Sequence, residues 1–179
     1  MEFSELIRTR RSCRSYSSEP VSPEEIRAIL DDTVLSASAC NSQPWHFTVI
    51  LDPEKRAACA EAVSIFPQSN LFAKNAAALI VLSTDKAPAI SPRARTKYPS
   101  DHFAELDAGS AAAYFTLAAA DRGLGTCILG AFDEEKIVSV AGLPDTVTPR
   151  LVITLGHPAD ADAPYVKKRT AAAEKTVIL

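Results

Sequence analysis

This 179-residue chain holds no metal-ligand spacing, no cysteine pair, no internal repeat and no long apolar run. Its histidines, His46, His102 and His157, stand far apart with nothing like HExxH between them, so no local stretch of sequence builds a metal site. The cysteines, Cys13, Cys40, Cys59 and Cys127, form no CxxC and show no regular spacing. In a reducing compartment they read as small buried hydrophobes rather than as a disulfide frame. No apolar stretch approaches the roughly 18 residues that span a bilayer, and Met1 to Arg11 is too polar for a signal peptide. A formal net charge of −3 argues against nucleic-acid binding. These absences predict a cytoplasmic protein with neither membrane nor nucleic acid as partner, and the length predicts a single domain over residues 1–179.

Against that mildly acidic background, the first sixteen residues concentrate Arg8, Arg10, Arg11, Ser12 and Arg14 behind a short apolar helix start, Phe3, Leu6 and Ile7. A guanidinium is a planar fork of donors that matches phosphate oxygens, and a serine hydroxyl adds a neutral donor. The cluster therefore suits a fixed phosphate ester. Taken alone, a short basic run also fits a solvated surface.

The rest of the chain alternates helical and extended patterns. Ser22-Pro23-Glu24-Glu25 is a capping box with proline at the first helical position, and Ile26, Ile29, Leu30 and Val34 follow at helical spacing, which predicts a helix from Pro23 to Leu35. His46–Leu51 reads as a strand, and Asp52-Pro53-Glu54 caps a second helix carrying Ala57, Ala60 and Val63. Ala77–Leu82 is a continuous apolar run of buried-strand length. Ser91–Pro99 mixes prolines with Arg93, Arg95 and Lys97, and we expect it to be irregular, with Lys97 and Tyr98 in a surface loop. Phe103–Arg122 is the longest helix, with a stripe of alanine and glycine that lets a neighbour approach, either the core sheet or the same helix of a second copy. Gly123 caps it, Leu124–Gly130 leads away as a turn and short extended segment, Asp133 caps a short helix ended by Gly142 and Pro144, and Arg150–Leu155 is the last core strand. The polar tail after Gly156 needs a surface to lie against, and a partner subunit is one candidate.

Two further segments carry chemistry. Gly123-Leu124-Gly125 contains a GxG, but a long helix precedes it and an extended segment follows, the reverse of a dinucleotide-binding turn. It serves as a helix cap and also exposes backbone N–H groups to a flat ligand. Ser36–Trp45 joins a helix to a strand through small and amide-bearing residues, among which Ser38 and Asn41 can read the edge of a heterocycle and Trp45 can anchor the core.

Taken together, three segments resemble the FMN-dependent nitroreductase superfamily. Arg10-Arg11-Ser12-Cys13-Arg14 is similar to its RRSxR motif, Asn41-Ser42-Gln43-Pro44-Trp45 to NxQPW, and Gly123-Leu124-Gly125-Thr126-Cys127 to GLGTC, in register along nearly the whole chain. The resemblance implies an α+β fold with a central, mostly antiparallel sheet flanked by helices. It also implies an intertwined homodimer whose C-terminal tail reaches the partner subunit, with FMN at the interface. By position, Arg10, Arg11, Ser12 and Arg14 would bind FMN together with Lys167, Lys168 and Arg169 of the tail. Ala37, Ser38 and Asn41 would reach it from the other subunit, Asn70 would place an amide nearby, and Leu124 and Gly125 would supply backbone contacts beside the flavin N5.

That implied site agrees with the physics of a flavin. Reduction places negative charge on the N1 and C2-oxygen side of the ring, and a guanidinium such as Arg14 held there favours the reduced form. No side chain is nominated as acid or base. The implied activity is an NAD(P)H oxidoreductase that alternates between reducing its FMN and transferring hydride to a nitroaromatic, quinone or similar acceptor. Two alternatives stay open: a flavin-binding or sequestering protein with little NAD(P)H reductase activity, and a reductive dehalogenase or heterocycle oxidase of the same superfamily. Relatives often carry proline where Ala37 stands, and Pro88–Asp101 is modest where larger relatives build a lid.

Overall fold

A computed structural model describes residues 2–99, 101–159 and 165–179. Its elements follow in order as helix α1 (Phe3–Thr9), helix α2 (Pro23–Thr33), strand β1 (Trp45–Ile50), helix α3 (Pro53–Ala62), strand β2 (Ala78–Asp85), helix α4 (Pro92–Arg95), helix α5 (His102–Asp121), strand β3 (Gly125–Leu129), helix α6 (Glu134–Ala141) and strand β4 (Val147–Gly156). Local chemistry sets most of the boundaries. Ser22 Oγ accepts from the Glu25 N–H while Glu25 accepts from the Ser22 N–H, so α2 starts on a complete capping box. Asp52 caps α3 and Asp133 caps α6 through the N–H three residues on. Gly142, at φ 62°, ends α6 in the left-handed region.

The strands form one antiparallel sheet in the order β1-β2-β4-β3. With helices on both faces, this is the α+β architecture expected from the sequence. On one face α3 and α6 cover Leu79, Val81, Val152, Cys127 and Leu129 with Cys59, Val63 and Ile137. On the other, α2 and α5 cover Ile80, Leu82, Ile153 and Leu155 with Ile29 and Phe115. β2 is buried on both faces, which explains why it reads as a continuous apolar run rather than an alternating one. Of the small residues of α5, Ala108, Ala111, Ala112 and Ala119 are buried against the sheet, while Gly109 and Ala113 lie exposed on its other side.

Several boundaries differ from the sequence expectation. The segment after Ser91 is not wholly irregular: Ser91 Oγ accepts from the Ala94 N–H and Pro92 takes the first helical position, so a single turn, α4, forms. β4 begins at Val147 rather than Arg150 and runs through Pro149, which is tolerated because the β2–β4 register shifts there, between Leu82 and Ser83. β2 likewise continues to Asp85, with Ser83 and Thr84 fully buried. Among the described residues no helix is long and apolar enough to cross a membrane.

Candidate active site

The arginine-bearing segment leaves α1 and becomes an added strand at the β3 edge. Ser12 bridges Thr126 in parallel, and the Cys13 N–H donates to the Thr126 carbonyl at 2.8 Å. Gly125 makes this possible. A Cβ at that position would stand 2.7 Å from both Cβ and Sγ of Cys13, so only glycine lets the two backbones lie this close. Gly123, at φ 76°, ends α5 and turns the chain into β3. Tyr16 then fastens the segment from below. Its hydroxyl bonds the Cys13 carbonyl at 3.0 Å and Thr154 Oγ1 at 2.6 Å, and burial raises its pKa well above the ordinary tyrosine value.

The result is a cleft between the end of α1, the outer side of α5 and the start of β3. Arg10 lines both of its lobes. A lobe of about 180 Å³ includes Arg11, Ala120, Leu124 and Gly125, and one of about 340 Å³ includes Ser12, Gly109, Ala113 and Ile128. Positive charge gathers here from both ends of the chain. Burial raises the Cys127 thiol pKa, while the charges of Arg14 and Arg10 and the Ser12 side chain act in the opposite direction. Partial burial, followed by the like charges of Arg10 and Arg169, lowers the Lys167 pKa. Lys167 Nζ donates to the Ile7 carbonyl, and the Arg11 guanidinium sits 5.4 Å above the Tyr165 ring. Arg10, Arg11, Ser12, Leu124 and Gly125 thus line one cleft within a single chain, with Arg14 near enough to act on Cys127 and Arg169 near Lys167. Lys168 is exposed beside them, its carbonyl accepting from Arg169. Among the described residues no carboxylate forms a salt bridge with Arg10, Arg14, Lys167 or Arg169.

Ala37, Ser38 and Asn41 are not brought to that cleft in the same chain. Their loop is tied to Asp107 of α5, whose carboxylate accepts from the Ala39 N–H at 3.1 and 3.2 Å. Asp107 and Gly109 lie two residues apart, about 200° around a helix of 3.6 residues per turn, so the loop and the arginine cleft occupy opposite sides of α5. Ser38 Oγ accepts from the Gln43 N–H, and Asn41 Oδ1 from the Gln43 side-chain amide. Asn70 also stays apart. It adopts φ 51° and donates its amide to the Val63 carbonyl at 2.8 Å, which closes the turn after α3. A larger concavity of about 620 Å³, lined by Ser17, Glu19, Arg56 and Lys74, contains none of the residues nominated from sequence.

Two participants were missed. Tyr16 lies just past the RRSxR motif, and its role needs a partner 138 residues away. Asp107 stood in the sequence as an acid inside an alanine stripe, Ala104-x-x-Asp107-Ala108-x-x-Ala111, which is the signal that could have found it.

The model for the Nitroreductase family matches residues 7–157. A relative from Archaeoglobus fulgidus, provisionally named NADH dehydrogenase/NAD(P)H nitroreductase, is 36% identical over 163 residues, 89% of this chain and 87% of its own. An FMN reductase (NADPH) of Bacillus subtilis is 25% identical over 170 residues, 87% of this chain and 66% of its own. Among solved structures, a nitroreductase family protein of Streptococcus pneumoniae has a TM-score of 0.84 at 25% identity, covering 99% of this chain and 100% of that one. Since the matched span takes in the arginine segment, the loop tied to Asp107 and the Gly123–Gly125 turn, the chain belongs to the nitroreductase family.

Proposed function

We propose that the protein is an FMN-dependent NAD(P)H oxidoreductase, acting as a homodimer in two alternating half-reactions with a nitroaromatic, quinone or similar acceptor. The observation that carries this reading is the cleft in which Arg10, Arg11 and Ser12 face the Leu124–Gly125 turn and an apolar wall of Ala113 and Ile128. Arg10, Arg14, Lys167 and Arg169 form no salt bridge with a carboxylate among the described residues, which suits an anionic ligand. The apolar wall of Ala113 and Ile128 calls for a flat, largely apolar body attached to it. A phosphate ester carrying a fused ring system meets both demands, and the family's cofactor is of that kind.

Bound there, FMN supplies hydride transfer at its N5. The chain's own residues would hold and tune it. Arg10, Lys167 and Arg169 suit the phosphate, Ser12 the ribityl hydroxyls, and Arg14 the ring edge where reduction deposits charge. The Leu124 N–H already closes the end of α5 on the Ala119 carbonyl, so Leu124 and Gly125 would contribute the shape of the turn beside the ring. Ala37, Ser38 and Asn41 would contribute to the site of the second copy, and the Ser38 hydroxyl hydrogen is left to donate outward because its oxygen already accepts from Gln43. The relatives named as NAD(P)H nitroreductase and FMN reductase support the same class of reaction.

The test is the visible spectrum of the purified full chain after addition of FMN, followed during anaerobic addition of NADPH and then NADH. Binding with prompt bleaching is the expected result. Failure to bind FMN would overturn the reading, and a bound flavin that neither donor bleaches would leave a flavin-holding protein in place of a reductase.

A further inference from the structure

The loop that joins α2 to β1 is strained. Cys40, Asn41 and Gln43 adopt φ 54°, 52° and 46°, left-handed values that non-glycine residues take up only when their surroundings hold them there. Three contacts do so. Ser38 Oγ takes the Gln43 N–H at 3.0 Å, Asn41 Oδ1 takes the Gln43 amide at 3.2 Å, and the Asp107 carboxylate takes the Ala39 N–H through both of its oxygens. The first two are internal to the loop. Asp107 alone among them joins the loop to a rigid element, since α5 is packed along its length against the sheet.

A carboxylate is an expensive residue for this task. Asp107 is only 8% exposed, and among the described residues no cation pairs with it. The Ser42 hydroxyl lies beside it, buried, without well-formed hydrogen-bond geometry. A buried charge bound to one main-chain N–H, next to three left-handed non-glycine residues, marks a place where shape is maintained against local preference. That loop carries Ser38 and Asn41, on the side of α5 opposite its own arginine cleft.

We propose that Asp107 is the positioning residue for this loop, fixing residues 38–43 in the shape with which they complete the cofactor site of a second copy of the chain. The proposal rests on the FMN reading above. It goes further in giving a role to a residue that touches neither cofactor nor substrate, and in making each copy's α5 responsible for its partner's site.

The experiment uses full-length chains in two tagged forms, with FMN affinity as the readout. Asp107→Ala is expected to weaken FMN binding about tenfold to a hundredfold, the equivalent of one hydrogen bond to a charged group. Asp107→Asn keeps one acceptor for the Ala39 N–H and is expected to fall between this variant and wild type. Co-expressed and purified through both tags, Asp107→Ala paired with an Arg10→Ala/Arg14→Ala chain gives a mixed dimer. One of its sites combines intact arginines with an intact loop, so tight binding of one FMN per dimer should return although neither parent homodimer binds well.

Wild-type affinity in Asp107→Ala, or no recovery in the mixed dimer, would overturn the proposal. If Asp107→Ala does not fold, Asp107→Asn takes its place in both measurements under the same criteria. Should the wild-type chain itself fail to bind FMN, the underlying functional reading falls. If wild type binds and the arginine variant does not, while Asp107→Ala behaves as wild type, only the present proposal falls.

Discussion

Gly125→Ala is the most informative single substitution for the cleft, because its effect can be worked from one contact. The added methyl would lie 2.7 Å from Cys13 Cβ, 2.7 Å from Cys13 Sγ and 3.1 Å from Pro158 Cγ. Carbon atoms in contact sit about 3.5–4.0 Å apart, so roughly 1 Å must be found. Rotating Cys13 χ1 moves Sγ but not Cβ, which the backbone fixes. The segment 12–14 must therefore lift away from β3, stretching the 2.8 Å bond from the Cys13 N–H to the Thr126 carbonyl. Overpacking of this kind costs about 1–3 kcal/mol. For a chain of this size, about 2 kcal/mol lowers the melting temperature by roughly 4–8 °C. Because the same shift displaces Arg10, Ser12 and Arg14, FMN affinity should fall about tenfold or more. Trp45, the sole tryptophan and 7% exposed, reports urea unfolding by fluorescence. The Cys13→Gly/Gly125→Ala pair removes the clashing Cβ, and a double-mutant cycle should show a coupling above about 1 kcal/mol in the recovering direction. A Gly125→Ala protein within about 0.5 kcal/mol of wild type, binding FMN normally, would refute the close-approach argument.

Other expectations follow from the same coordinates. Tyr16→Phe leaves the Cys13 carbonyl short of a buried partner and should cost about 1–3 kcal/mol in urea unfolding, and adding Thr154→Val should deepen the loss because Thr154 Oγ1 also accepts the Cys127 N–H. Phe115→Ala empties the centre of the α5 face, where Phe115 is fully buried against Phe47, and should cost about 3–5 kcal/mol by the same measurement. The Arg150 guanidinium, bound to Asp101 at 2.8 Å, holds the Asp101 carboxyl below its ordinary value. The stability this pair adds is thus present above the unfolded aspartate pKa, near 3.9, and is lost as pH falls through the lower folded value. Asp101→Asn should be less stable than wild type at pH 7 by under about 1 kcal/mol, since the carboxylate is partly exposed, and the difference should shrink in thermal melts as pH falls through the lowered folded value.

Where chain-local chemistry decides, the fold was legible in the sequence. The capping box at Ser22, the aspartates at 52 and 133 and the glycines at 123 and 142 all act where their spacing puts them, because a cap needs only a partner three residues away. The extra length of β4 was not legible. Pro149 argues against a strand in local terms, and only the register shift in the neighbouring β2 makes room for it. Strand order is of the same kind: nothing within β4 says that it pairs with both β2 and β3.

The site divides along the same line. The arginines were visible because five anion-seeking side chains in seven positions stand out in any acidic chain, and the turn at Gly125 because glycine advertises itself. Asp107 was hidden because a helix-borne acid has dozens of harmless readings, and its partner, the Ala39 main chain, has no side-chain signature. The left-handed residues were hidden as well. Cys40 and Gln43 have no intrinsic preference for positive φ, so their conformation records what the surroundings impose. Strain at positions whose side chains do not favour it requires an external restraint, and the restraint that bridges this loop to a packed helix is the Asp107 carboxylate. A sequence motif can thus name the residues that meet a ligand, while the residue that holds them in place is found only once the chain has been folded around it.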